Sequence, residues 1–272
     1  VSEIYLHSWT FRTRSFAEAC QAASAIGYNG VEIFPGHYPD PDDPAGSIAL
    51  LAAEADAAGT AIAAVPLRAD SRSAAEFDLA VDSAEKVLTA ASGAGARFVN
   101  CMISDVPGPS WSEAGSVGIS GHQRSWTQHF VKFLAESIQD RNLTAGLETH
   151  MNCAHDSAAA AAGYVKGLDG RLGITFDPAN LAGYGHGEPW ENALAIAGDR
   201  IIYVHAKNHH GRGQGADYDR GLPDGDIDWA QVVASLRKRK PLPPVCIEYS
   251  GGADPWSTAA RDFEYLQSIM AR

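Results

Sequence analysis

Leu172–Asn180 reads L-G-I-T-F-D-P-A-N, an apolar run that ends on an aspartate and then meets a proline. Three further stretches repeat this plan: A-G-L-E-T-H at 145–150, I-I-Y-V-H-A-K-N at 201–208 and P-V-C-I-E-Y-S-G-G at 244–252. Each apolar run closes on a carboxylate or an imidazole, so Glu148, Asp177, His205 and Glu248 recur at intervals of 29, 28 and 43 residues. One polar group at the same end of successive strands is how a parallel barrel gathers distant side chains around one ion. Side chains alternate faces along a strand. Glu148 therefore shares a face with Gly146, Asp177 with Thr175 and Gly173, and Glu248 with Cys246, while Ile202 and Val204 face away from His205. The aliphatic set lies on the opposite face, where helices would cover it.

Working outward, eight β-prone runs are predicted at Glu3–His7, Gly30–Phe34, Ala61–Leu67, Phe98–Met102, Thr144–Thr149, Leu172–Asp177, Ile201–Ala206 and Val245–Tyr249. Between them lie Ala-rich stretches with apolar residues three or four apart. Trp126, Phe130, Phe133 and Leu134 form one such stripe, and Phe263, Leu266, Ile269 and Met270 another. Eight strands each followed by a helix predict an α/β fold, a (β/α)8 TIM barrel, and a length of 272 residues fits one. No linker or composition shift divides the chain, so residues 1–272 are read as one domain. Three long connections, Pro35–Ser47, Ser104–Gly121 and Lys207–Gly225, follow strands at the end where the four polar groups sit. Connections of this length predict a lid or a substrate wall.

Composition narrows the function classes. The chain is 45% hydrophobic and 20% charged, with no apolar stretch long enough for a membrane span. The start V-S-E-I-Y-L-H lacks the pattern of a secretion signal. With 21 basic against 33 acidic residues the net charge is −12, which disfavours a nucleic-acid partner. The dense basic run Arg237–Lys240 reads as a solvated helix end. Cys20, Cys101, Cys153 and Cys246 show no paired spacing, so buried thiols and a cytoplasmic location are expected.

Taken in order, F-D-P-A-N, V-H-A-K-N and G-D-I-D-W, with Y-N-G-V-E-I early in the chain, resemble the xylose isomerase-like TIM barrels, the superfamily of sugar isomerases, epimerases and endonuclease IV. The resemblance implies that Glu148, Asp177, His205 and Glu248 bind a divalent cation. It also implies that Glu148 and Glu248 move protons, as the two glutamates do in the ketose epimerases. Members of that superfamily often self-associate, so a homo-oligomer is a further expectation. Two positions depart from the ketose epimerases. Asn180 replaces a histidine three residues after the metal-binding aspartate, and Gly211, next to Arg212, replaces an arginine six residues after the ligand histidine. The E-T-H at Glu148–His150 is similar to strand endings of the dehydroshikimate dehydratases. Endonuclease IV-like chemistry needs extra ligands that the endings V-P-L-R and V-N-C-M lack, and the late loop has Asp217-Tyr218-Asp219 instead of an Asp-x-His.

Three carboxylates and one imidazole suit Mn²⁺ first, with Mg²⁺, Co²⁺ or Zn²⁺ as alternatives. The expected function is a metal-dependent isomerase or epimerase of a sugar or sugar derivative, working by proton transfer through a metal-stabilised enediolate. A lyase or dehydratase of a keto-sugar or dehydroshikimate-like substrate is the alternative, and a non-catalytic sugar-binding protein is a further one. His7, His150, Asn180, Lys207 and Arg212 are candidate substrate contacts, Arg68 and Arg212 being suited to a phosphate or carboxylate. His7 reads equally as a hydrogen-bonded core histidine. Lys207 is the one basic side chain placed to offset the carboxylates. Glu32 is read as part of a stabilising network at the barrel mouth, and Asp226 and Asp228 as helix-start residues. Trp111, Trp190 and Trp256 are candidates for stacking on a sugar ring.

Overall fold

Alternation along each strand decides the architecture. The strands are β1 (Ile4–His7), β2 (Val31–Glu32), β3 (Ile62–Ala69), β4 (Phe98–Ile103), β5 (Thr144–Glu148), β6 (Leu172–Phe176), β7 (Ile201–Ala206) and β8 (Val245–Ile247). All pair in parallel in chain order, and β8 pairs with β1, closing a barrel. The helices that return the chain are α1 (Phe16–Ile26), α2 (Pro44–Ala57), α3 (Ala74–Gly93), the single turn α4 (Gly115–Gly118), α5 (Gly121–Ser137), α6 (Ala158–Val165), α7 (Trp190–Ala197), α8 (Trp229–Leu236) and α9 (Pro255–Met270). This computed structural model describes residues 3–108, 114–184, 187–238, 241–252 and 254–271.

Local chemistry sets the helix starts. Ser15 and Glu18 form a reciprocal capping box at α1, Ser120 and Gln123 another at α5, and Asp228 caps α8. Asp226 does not cap a helix; it binds the His210 ring and the Gly211 N–H, stapling the β7–α8 connection. The outward side chains of the strands, such as Leu6, Val65, Leu147, Ile174 and Val204, pack against Phe130, Leu134 and Leu266 from the predicted α5 and α9 stripes.

The barrel interior is filled by size matching. Tyr5, Phe98 and Tyr203 occupy the lower layer, with the Phe98 and Tyr203 rings stacked at 4.8 Å. β5 and β6 contribute glycines to the inward face. A Cβ on Gly173 would stand 2.5 Å from the Arg200 carbonyl, and one on Gly146 2.1 Å from Thr175 Oγ1. Two residues further along each strand comes the polar layer. Two further again comes the mouth, with Trp9, Phe34, Arg68, Met102, His150, Lys207 and Ser250.

β2 and β8 are shorter than the sequence predicts. The pairing register shifts between Val31 and Glu32, which ends the regular ladder of β2. Beyond β8, the Glu248 N–H still donates to the Ala206 carbonyl, but the Tyr249 N–H turns to Thr10 Oγ1. The four cysteines are free and buried. Among the described residues no helix is long and apolar enough to cross a membrane.

Candidate metal centre and active site

Four strand ends carry the cluster. Glu148 is the last residue of β5, Asp177 follows β6 directly, His205 lies near the end of β7, and Glu248 follows β8. One ligand atom from each lies within 4.8 Å of the others. Asp177 is held at its turn by Thr149, whose Oγ1 accepts from the Asp177 N–H at 3.0 Å and donates to its carbonyl at 3.3 Å. The Asp177 Oδ1 accepts the Asn180 N–H at 2.9 Å. Its buried Oδ2 is paired with Lys207 Nζ at 2.9 Å.

His205 is oriented from behind. Its Nε2 lies 3.0 Å from Glu32 Oε2, which also accepts the Tyr203 hydroxyl at 2.9 Å. A proton on Nε2 satisfies this contact, and Nδ1 is turned to the cluster, 3.3 Å from Glu248 Oε2 and 3.5 Å from Glu148 Oε1, where its lone pair would serve a cation once the ring is neutral. Nδ1 is buried. A carboxylate behind a ligand histidine is the usual way to fix its tautomer. Glu148 is oriented from both sides, its oxygens accepting Asn100 Nδ2 at 2.7 Å and Asn180 Nδ2 at 3.1 Å. Its backbone carbonyl accepts from His155 Nδ1 at 2.7 Å, while His155 Nε2 accepts the Ile103 N–H.

Charge explains why such a cluster needs a partner. Glu32, Glu148, Asp177 and Glu248 are four carboxylates against the single ammonium of Lys207, a formal net of −3 with neutral imidazoles. Two like charges 4 Å apart repel by about 4 kcal/mol at an effective dielectric near 20. Burial raises the Asp177 carboxyl, and the neighbouring glutamates add to this against the pull of Lys207. Burial also pushes on Glu148 and Glu248, but His205 holds the first, and Lys207 the second, below the usual range. Burial disfavours the His205 imidazolium, yet Glu32 and Glu148 outweigh it and raise its pKa. The donor set, three carboxylates and an imidazole that each turn one ligand atom into a space within 4.8 Å, fits a divalent cation.

Beside the cluster lies a chamber of about 360 Å³, within the size range of small-molecule sites. His7, His150, Asn180 and Lys207 all line it. His7 is partly committed, its Nδ1 accepting the Trp9 N–H at 3.0 Å and its Nε2 lying 3.7 Å from Glu32. Asn180 spends its amide N–H on Glu148 but keeps a buried Oδ1 without a partner. Lys207 pairs with Asp177 and with Glu248 at 3.3 Å, the counter-charge role expected of it.

Arg212 is not brought in: it is exposed on the β7–α8 connection and is absent from the chamber lining, because the chain turns outward at Gly211, where φ is +80°. Arg68 does line the chamber. Trp190 packs on the outer core and Trp256 on Phe11, while Trp111 lies outside the described residues. Among the described residues the tryptophan at the chamber is Trp9, edge-on to Phe34; its position two residues past His7 was the available signal. Of the three long connections expected to form a wall, two reach the chamber, through Pro35 and through Lys207 and Tyr218, while the described residues of Ser104–Gly121 do not line it. Phe34, expected in a strand, lies just past β2 and adds to the wall.

Residues 20–269 match the family model described as xylose isomerase-like TIM barrel. The chain belongs to the xylose isomerase-like TIM barrel family. No curated protein matches it. Among solved structures, this xylose isomerase-like barrel is similar to a D-allulose 3-epimerase from Methylomonas sp. in complex with D-allulose (16% identity, 98% of this chain and 97% of that one, TM-score 0.74). It is similar also to the 3-keto-D-glucoside 4-epimerase YcjR from E. coli (15%, 98% and 100%, TM-score 0.72). A third is the probable 3-DHS dehydratase AsbF of Bacillus anthracis (16%, 97% and 98%, TM-score 0.72). At these identities the likeness is one of fold.

Proposed function

We propose that this protein is a divalent-metal-dependent isomerase or epimerase of a sugar or sugar derivative, with Glu148, Asp177, His205 and Glu248 as the ligands and Mn²⁺ as the first choice of ion. One observation carries the reading: Glu148 and Glu248 come from non-adjacent strands, β5 and β8, yet share one cation-sized cluster and line one chamber. A hydroxy-ketone lying between them presents neighbouring carbons to two carboxylates. The epimerases among its structural relatives act on substrates of that kind by name, which supports the choice of sugar.

Both glutamates are held ionised, so the proton-accepting form is the resting one. One takes a proton from the carbon beside the carbonyl; the other, once it has picked up a proton from solvent, delivers it to the neighbouring carbon or to the opposite face, and the first sheds its proton to solvent to restore the resting state. A bound divalent cation would polarise the carbonyl and acidify that C–H, letting carboxylates of low basicity act as bases. Asn100 and Asn180 keep Glu148 aimed, and the partnerless Asn180 Oδ1 is free to accept a substrate hydroxyl.

Dehydration is the second reading. His150 favours it: it lines the chamber two residues past Glu148, and its Nδ1 is tied to the Met151 carbonyl, which leaves Nε2 for a leaving hydroxyl. Proton NMR in deuterated water, over a panel of ketoses, an inositol-derived ketone and keto acids, tests both. Solvent deuterium in an isomer supports the first reading, and an unsaturated product the second. Glu148→Gln and Glu248→Gln each abolish turnover in a protein that still folds. Near-normal turnover in both variants rejects the proton-transfer assignment.

A further inference from the structure

Arg68 stands where three cavities meet. It lines the chamber, an outer cleft of about 470 Å³ and a side pocket of about 190 Å³ walled by Pro35, Pro41, Pro44 and Pro66. Its position in the barrel is informative. The ligands occupy the arc β5 to β8, so the diametrically opposite wall is formed by β2 and β3. Arg68 rises from β3 at the mouth, two residues beyond Pro66, and pairs in register with Met102. Between this arginine and the cluster the wall is largely apolar, with Phe34, Pro66 and Met102.

Arg68 is also uncommitted. Nearby Arg12 donates to the Ser250 and Gly251 carbonyls and lies over the Trp9 ring. Arg72 is bound by Asp70, Glu76 and the Asp105 carbonyl. Lys207 is held by two carboxylates. Of these four side chains, that of Arg68 alone has no hydrogen bond or ion pair among the described residues. An idle guanidinium at the rim of a chamber whose other charges are mostly negative marks the point where an anionic group gains most.

We propose that the substrate carries an anionic group, a carboxylate or a phosphate, at the end remote from the cation, and that Arg68 binds it. This rests on the chamber being the substrate site of the proposed enzyme, and it names the class of substrate. The acids of the outer cleft, Asp70 and Asp105, place the group on the chamber side of the guanidinium or in the proline-walled pocket, whose lining holds no carboxylate. A neutral monosaccharide would leave Arg68 idle. A sugar acid, keto acid or sugar phosphate spans the chamber from the metal ligands to β3.

Calorimetric binding to the Mn²⁺-loaded protein tests this with three probes: D-fructose, 5-keto-D-gluconate and D-fructose 6-phosphate. Wild type binds one of the charged probes about tenfold or more tightly than D-fructose, the scale of a charge-assisted hydrogen bond. Which charged probe is preferred separates carboxylate from phosphate. Arg68→Met, which keeps the apolar stem, brings that ratio close to one, and Arg68→Lys retains part of it. Three probes bound alike by wild type, or a preference that survives in Arg68→Met, overturns the proposal. Binding is read without turnover. A protein that isomerises only neutral ketoses would therefore refute the Arg68 role and leave the proposed function standing; a charged-probe preference without catalysis would do the reverse.

Discussion

Glu32 contributes nothing to the four-atom cluster, yet it decides which nitrogen of His205 faces that cluster. It is fully buried and lies 3.0 Å from His205 Nε2. Burial works against its charge, but the imidazoles of His205 and His7 hold its carboxyl below the ordinary range. Glu32→Gln keeps the shape and removes the charge, so Mn²⁺ affinity falls by about 10–100-fold, as for other partners standing behind ligands. Calorimetric titration checks this, and unchanged affinity would deny Glu32 its positioning role. Sequence could place Glu32 at the mouth but could not pair it with a histidine 173 residues away, because barrel closure alone makes them neighbours. The four cluster residues were legible for the opposite reason: each ends an apolar run, and the two-residue period of its own strand declares its face. Asn100 lacked that signal. Nothing in V-N-C-M marks an asparagine whose amide orients a carboxylate on the next strand.

The ends of β4 and β5 are joined by His155, buried on the connection into α6. Its ring accepts the Ile103 N–H and donates to the Glu148 carbonyl, which requires the neutral form. Burial, the leading cause, pushes its pKa down to about 4. The folded state then binds fewer protons than the unfolded state between pH 6.5 and 4, so stability rises with pH across that window and is lost on acidification. The linked loss amounts to roughly 3 kcal/mol. Urea melts at pH 7 and pH 4.5 measure it, and His155→Gln, which cannot titrate, shows a shallower acid loss; equal losses in both proteins would contradict the assignment. On β6, Gly173→Ala places a methyl against the Arg200 carbonyl and costs about 1–3 kcal/mol in the same melts. A neutral effect there would mean that the strand gives way. The shortened β2 was not legible, since a register shift depends on the neighbouring strand rather than on V-E-I itself.

At the scale of the whole molecule, eight strands in chain order turn residues spaced through half of the sequence into one ring. The overall barrel was legible because return segments such as α5 and α9 carry helical stripes and the strands an apolar outer face. The division of labour within the mouth was not. The proposed ligands crowd the β5–β8 arc, while the opposite side carries Glu32 behind His205, the apolar Phe34 and Pro66 and an uncommitted arginine, and that asymmetry exists only after closure. Manganese titration of metal-depleted protein tests the central claim most directly. Wild type takes up one Mn²⁺ per chain, and Asp177→Asn loses that site. Absence of binding in wild type, or an undiminished site in Asp177→Asn, would contradict the account.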